Sequence, residues 1–277
     1  MSNKISFEVE TARILEILSK EIYDSPLALL RENLQNAYDA TLMRCAHEGT
    51  ALTAEKIELQ IDSGRLTITD HGIGMTEDVL RNNFWKAGSS GKKTELARKA
   101  GVIGTFGIGA MANFGVCKRL QVETRAVGSD TTLMSLAEKA KLSFAQECIE
   151  LRRVKDNRGP GTTLIADLEA DYVLTEAQAR DYLTAYAAYL PVKVTLNGSP
   201  ISQQKYGEDM TKGFSPISET IWTMGVHSAR VQVLLSAKNS QAAARVTGIR
   251  LQDVGVDGDM VLVQSGGQLM GLRNSFG

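Results

Sequence analysis

Residues 56 to 72 read KIELQIDSGRLTITDHG, two runs of alternating apolar and polar residues joined by Asp62-Ser63-Gly64. A period of two puts alternate side chains on opposite faces of an extended chain, and a short glycine-containing joint folds the runs into an antiparallel hairpin ending at Asp70. Just upstream, ENLQNAYDA (residues 32 to 40) has a helical period instead. Glu32, Asn36 and Asp39, at i, i+4 and i+7, share one face, and Leu27, Leu30, Leu34 and Ala37 fall on the opposite one. An apolar helix face and a two-faced hairpin must bury their apolar sides against other elements, so the chain mixes helix and sheet in layers. It also lines up an acid, an amide and an acid, which such packing does not require.

The remaining pattern fills in that plan. A strand-like ISFEV precedes a helical run near residues 10 to 22, and the acid-amide helix is expected from about Pro26 with Ser25 as its N-cap. A helix is expected from Thr76. Residues 86 to 109 are rich in glycine and lysine and read as a long loop, the kind that carries function or is disordered. Strands are expected at 118 to 126, 131 to 136, 147 to 154 and 162 to 168, a helix at 175 to 189, and a hairpin about Asn197-Gly198. From about residue 206, ARVQVLLSA and MVLVQSG open what reads as a second domain.

With 277 residues, one large domain or two unequal ones is expected. The 31 basic and 32 acidic residues nearly balance, which gives no electrostatic argument for binding nucleic acid or membranes in bulk. Cys45, Cys117 and Cys148 are far apart and lack metal-ligand spacing, so they read as reduced structural thiols. No apolar run approaches the roughly 20 residues that span a bilayer, and the opening MSNKISFEVE lacks the apolar core of a signal peptide. A cytoplasmic protein is the expectation.

Three glycine motifs follow. In TDHGIGM (69 to 75), Asp70 at a strand end could accept from an amino group while Gly72 and Gly74 let a flat ring approach and Met75 walls it; a glycine turn with a solvated acid reads equally well. In GTFGIGAMANFG (104 to 115), Gly104, Gly107 and Gly109 precede a small-residue helix whose N–H groups could cradle phosphates. Its G-x-x-G-x-G spacing after a long loop fits neither the dinucleotide fingerprint nor the lysine-containing phosphate loop. GPGTTLIADL (159 to 168) is a glycine turn entering a strand, structural when taken alone, with a Thr162 hydroxyl in reach of a ligand.

The order of these motifs, with LLRENLQNAYDA, DHGIGMTEDVLRNNF, the GSSG loop and VIGTFGIGAMANFGVCKRLQVET, resembles the GHKL ATPases, the superfamily of gyrase, heat-shock chaperone, histidine kinase and MutL. Over residues 5 to about 200 the chain looks like the N-terminal ATPase domain of the ninety-kilodalton heat-shock chaperones of the HtpG type. The resemblance implies an α+β fold, the two-layer α/β sandwich of the Bergerat type with a mixed, mostly antiparallel sheet. It implies residues 1–205 as the ATP-binding domain and 206–277 as the start of a second α/β domain of the middle or transducer kind.

By the same resemblance, the cofactors are ATP and Mg²⁺. Glu32 is implied as the catalytic base that orients and deprotonates water, Asn36 as the Mg²⁺ ligand, and Asp39 as a supporting residue near the base pocket. Asp70 reads adenine, Ala40 and Met75 line the base pocket with Gly74 beside them, and Asn83 faces sugar or phosphates. Gly104, Gly107, Ile108, Gly109 and Ala110 wrap the phosphates, and Thr162 stands behind the base. His71 reads as incidental, and Lys92 and Lys93 as solvated loop residues. The implied partners are ATP and ADP, a second copy of the chain in the ATP state, and protein clients. The other readings are a MutL-like or MORC-like DNA-linked ATPase and a nucleotide-binding module without turnover. Two departures stand out: Ser89 or Ser90 occupies the place of the family's lid lysine, and Ala110 that of an aromatic. The glycine motif between Gly104 and Gly115 holds no Lys or Arg, leaving Arg245, Arg250 and Arg273 as candidates to supply charge. The chain stops at GLRNSFG within the second domain, as expected of a short homologue or a piece of a longer protein.

Overall fold

The computed structural model describes residues 25–86, 95, 113–143, 146–188, 190–204, 214–224, 227–236, 244–252, 258–265 and 268–273. The ISFEV strand, the helix at 10 to 22, nearly all of the 86–109 loop, Lys92, Lys93, and Gly104 to Ala110 lie outside them.

Helix α1 (Ala28–Glu48) comes first. It starts two residues later than expected, because Ser25 caps the turn before it: Ser25 Oγ accepts from the Leu27 N–H at 3.1 Å, and Leu27, without a side-chain cap, is the N-cap. Strands β1 (Lys56–Asp62) and β2 (Arg65–Asp70) form the expected hairpin, in register from Ile57↔Asp70 to Asp62↔Arg65. Its joint is Ser63-Gly64, with φ of 46° and 78°, the paired positive values whose twist matches that of the strands. Thr76 caps α2 (Glu77–Val79), which continues as a π turn, Leu80–Phe84.

Strands β3 (Cys117–Arg125), β4 (Thr132–Glu138), β5 (Glu150–Val154) and β6 (Gly161–Leu168) follow. Helix α3 (Glu176–Ala187) opens with a capping box between Thr175 and Gln178. Then β7 (Lys193–Leu196) and β8 (Ser199–Pro200) turn about Asn197-Gly198. The sheet order is β5-β4-β3-β6-β2-β1-β7-β8, antiparallel except for the parallel β1–β7 pair. This is the α+β, mixed and mostly antiparallel architecture expected.

One sheet face carries the core. Ile57, Leu59, Leu66, Ile68, Leu120, Val122, Leu164 and Ala166 pack beneath Leu29, Leu30 and Leu34 of α1 and Ala179, Leu183 and Ala187 of α3. Fully burying a Leu or Val stabilises by roughly 1.5–3 kcal/mol, so this layer holds the fold. The opposite face is polar: Arg65 pairs with Asp167 at 2.6 Å, Arg119 with the same carboxyl at 3.6 Å, and Thr69 with Thr163 at 3.2 Å.

From residue 214, β9 (Phe214–Met224), β10 (His227–Ser236), β11 (Ala244–Gln252), β12 (Gly258–Ser265) and β13 (Gln268–Arg273) make a second antiparallel sheet. The described residues of this segment, expected to begin a second α/β domain, are strands. Arg245 and Arg250 lie on β11 and Arg273 on β13.

Candidate functional site

Asp70 ends β2, only 6% exposed. Its Oδ1 accepts from the Gly72 N–H at 2.8 Å and the Thr162 N–H at 3.2 Å. Two backbone donors on one oxygen fix the plane of the carboxyl. Burial pushes its pKa up to about 7, against the pull of those two N–H groups and of the Arg158 guanidinium. Arg158 is itself held by Thr163 Oγ1 at 2.6 Å and Glu123 at 3.3 Å.

Thr162 is the cross-strand neighbour of both Asp70 and Thr124. Thr124 Oγ1 lies 3.0 Å from Thr162 Oγ1, 3.2 Å from the Gly161 carbonyl, and accepts from the Met75 N–H at 2.9 Å. Fully buried, Thr124 joins the Met75 backbone to the β6 entrance. Nothing in QVETRA marks it, since a threonine at an inward strand position has no local signature.

The glycines of DHGIG do something other than admit a ring. A Cβ on Gly72 would sit 2.5 Å from the Ala40 carbonyl carbon, and the Ile73 N–H donates to the Ala40 oxygen at 2.9 Å. A Cβ on Gly74, whose φ is +65°, would sit 1.9 Å from the Arg125 oxygen; one on Gly161 would meet the Asp70 oxygen at 2.3 Å. The space is filled by the protein's own backbone, so these glycines let α1, β3 and β6 close around the Asp70 strand end. Gly74→Ala is therefore expected to lose roughly 2–5 kcal/mol, from a left-handed backbone and a contact that cannot yield. Gly64→Ala, at φ +78° with nothing within 4 Å, should lose only about 1–2 kcal/mol. Urea unfolding at unchanged m checks the difference, and equal losses would deny the close contact.

On α1, Glu32 and Asn36 are half-buried, while Asp39, at 2% exposed, is in the interior next to Tyr38. Burial first and Asp39 second push the Tyr38 hydroxyl up to about 12. The supposed polar face of α1 is thus partly interior, with Asn33 and Thr41 also buried. Arg31 donates to Glu32 Oε1 at 2.9 Å and lies 5.7 Å from the centre of the Tyr186 ring on α3.

The structure therefore brings Asp70, Thr162 and Met75 into one hydrogen-bonded cluster through Thr124, with Ala40 bonded to Ile73 and Gly74 packed against Arg125 beside it. Glu32 stands on the same helix as Ala40, eight residues earlier, about 12 Å along the axis. Asn83 is half-buried in the π turn following Met75. Gly104, Gly107, Ile108, Gly109 and Ala110 lie outside the described residues. His71 Nε2 makes no hydrogen bond, with Glu58 3.8 Å away. A cavity of about 600 Å³ lined by Gln60, Asp62, Arg65, Thr67, Lys118 and Asp167 opens at the turn end of β1 and β2 and contains none of the candidate residues.

The described residues hold no group of three or more His, Cys, Asp or Glu that could cage a metal. An amide at Asn36 one turn from a carboxylate at Glu32 instead suits a Mg²⁺ ion bound mostly by phosphate oxygens and water, which needs only one or two protein oxygens. Among the described residues no helix is long and apolar enough to cross a membrane.

Residues 25–155 match the family described as histidine kinase-, DNA gyrase B- and HSP90-like ATPase. With its eight-stranded sheet and buried strand-end acid, the chain carries a domain of that family, the GHKL ATPases. Within the family it is similar to heat-shock chaperones. It is 32% identical over 212 residues to the mitochondrial 75 kDa heat shock protein of Bos taurus, covering 71% of this chain and 29% of that one. It is also 32% identical over 197 residues to the chaperone protein HtpG of Polaromonas sp., covering 66% and 30%, and 30% identical over 211 residues to HtpG of Clostridium acetobutylicum, covering 68% and 32%. The chain spans about a third of the length of these curated relatives.

Proposed function

We propose that this chain binds ATP with Mg²⁺ and hydrolyses it to ADP and phosphate, as the nucleotide domain of a chaperone-like ATPase of the cytoplasm. Residues 1–205 form the ATP-binding domain, and 206–277 begin the domain that follows. The observation that carries the reading is Asp70: a buried carboxyl held by two backbone N–H groups at a strand end, packed against the helix that bears Glu32 and Asn36.

Asp70 accepts from the adenine amine, with Ala40, Gly74 and Met75 as walls, Thr162 behind the base and Asp39 in support. Asn83 meets sugar or phosphates, and N–H groups of the segment containing Gly104, Gly107, Ile108, Gly109 and Ala110 hold the phosphates. Glu32 orients the attacking water and takes its proton. Asn36 offers its amide oxygen to Mg²⁺, which when bound neutralises phosphate charge. Phosphoryl transfer depends mainly on positioning and charge neutralisation, and a helix that carries base pocket and catalytic base on one rigid rod supplies the positioning. ATP binding closes residues 86–103 over the nucleotide and favours a dimer that works on protein clients.

The test is phosphate release measured beside ATP binding, with Mg²⁺ and with EDTA. Turnover should require Mg²⁺, be slow for the isolated 277-residue chain, and rise with protein concentration, because the glycine motif carries no cation of its own. Rapid, concentration-independent turnover would place the needed charge within one protomer. Binding without any turnover would leave a nucleotide-binding module.

A further inference from the structure

Asn33 and Asn113 are 80 residues apart in sequence, yet their side chains form a reciprocal amide pair in the interior. Asn33 Nδ2 donates to Asn113 Oδ1 at 2.6 Å, and Asn113 Nδ2 to Asn33 Oδ1 at 3.4 Å. Asn33 is 3% exposed and Asn113 not at all. Asn33 directly follows Glu32 and is three residues before Asn36, so whatever fixes it fixes both. The other anchor is the middle of the sheet: the Asn113 carbonyl accepts from the Val116 N–H at 3.1 Å, the Val116 carbonyl from the Glu169 N–H at 2.8 Å, and β3 begins at Cys117.

The apolar contacts of α1 through Leu29, Leu30, Leu34 and Ala37 are not directional, and a sliding or rotating helix can exchange one leucine contact for another. A buried amide pair cannot be exchanged in this way, because a shift of one residue moves a side chain about 1.5 Å along and 100° around the axis and breaks both of its hydrogen bonds. Buried polar pairs have their best-attested use in fixing register between packed elements.

We propose that the Asn33–Asn113 pair is a register lock that holds α1 against the start of β3 so that Glu32 and Asn36 face the phosphate end of the site. Both are positioning residues, and the catalytic part of the proposal rests on the roles given to Glu32 and Asn36 above.

The test compares Asn33→Leu, Asn113→Ala and the double variant in the full chain. Each single variant removes both hydrogen bonds of the buried amide pair and should lower Tm by roughly 2–8 °C. The double variant removes both amides and should return to within about 3 °C of the parent. If the pair sets register, the double variant still shows kcat reduced at least tenfold with ATP affinity within about threefold, and backbone amides of residues 34 to 40 exchange at least tenfold faster than in the parent. Parental exchange in a double variant of parental Tm overturns the lock, whatever the turnover. Faster exchange with parental kcat overturns its role in positioning Glu32. Where the parent itself releases no phosphate, or Glu32→Ala turns over like the parent, the reading of Glu32 fails, while the exchange measurement still decides whether the amide pair holds the helix.

Discussion

Replacing Glu32 by alanine should slow ATP turnover by about 10² to 10⁴, the usual contribution of a positioned general base, and leave ATP affinity within a few-fold of the parent. The separation follows from where the side chain stands. Glu32 is half-buried near the start of α1, and its protein partner is Arg31 at 2.9 Å. The cluster around Asp70 meets the same helix at Ala40 and does not include Glu32. Losing the Arg31 pair should cost stability little, about 0–1 kcal/mol for side chains 34% and 21% exposed, and Arg31 keeps its contact with the Tyr186 ring. Phosphate release and calorimetry on the same preparation separate the two effects. Parental turnover would remove Glu32 from the chemistry, whereas lost affinity would mean that it holds nucleotide rather than water.

Local pattern made the elements legible. The β1–β2 hairpin, its Ser63-Gly64 joint and the Thr76 and Thr175 caps are short-range features, each decided by residues within a few positions of one another. α1 starts later than the pattern predicts because Ser25 can cap either a helix or a turn, and here its hydroxyl takes the Leu27 N–H in a turn. What the sequence could not display is what each glycine faces. DHGIG announces a backbone that must be approached closely, and only the packed structure reveals that Ala40 and Arg125 are the atoms approaching. The same holds for Asn33, which reads as one more polar helix residue until Asn113 arrives from 80 positions away. The parallel β1–β7 pair and the hub at Thr124 are likewise long-range choices without a local signal.

Asp70→Asn should keep the fold and lose the nucleotide. The two N–H groups of Gly72 and Thr162 both point at Oδ1, so an asparagine there settles with its carbonyl oxygen toward them and its NH₂ toward the ligand. A donor then faces the adenine amine where an acceptor stood. Above about pH 7, where the Asp70 carboxyl is ionised, a lost hydrogen bond to a charged group costs roughly 1.5–3 kcal/mol and an unpaired buried donor roughly 1–3, together on the order of a hundredfold in affinity. GTP should bind the parent poorly for the mirror-image reason, since its ring presents an acceptor where Asp70 needs a donor. Equal ATP and GTP affinity by calorimetry would end the adenine-reading role.

The same substitution has a signature in the nucleotide-free protein. Burial raises the Asp70 pKa from 3.8 to about 7, so between those values the folded chain holds a proton that the unfolded chain has released. Stability then falls as pH rises from about 4 to 7 and is flat above, with on the order of 4 kcal/mol lost across the window from this group alone. The Asp70→Asn variant has no proton to release and should lack that part of the slope, so its stability relative to the parent improves as pH climbs toward 7. Urea unfolding at intervals from pH 5 to 8 reads the difference directly. Parallel profiles for the two proteins would mean that the Asp70 carboxyl ionises in the fold as readily as in water, and that its burial does not set its charge.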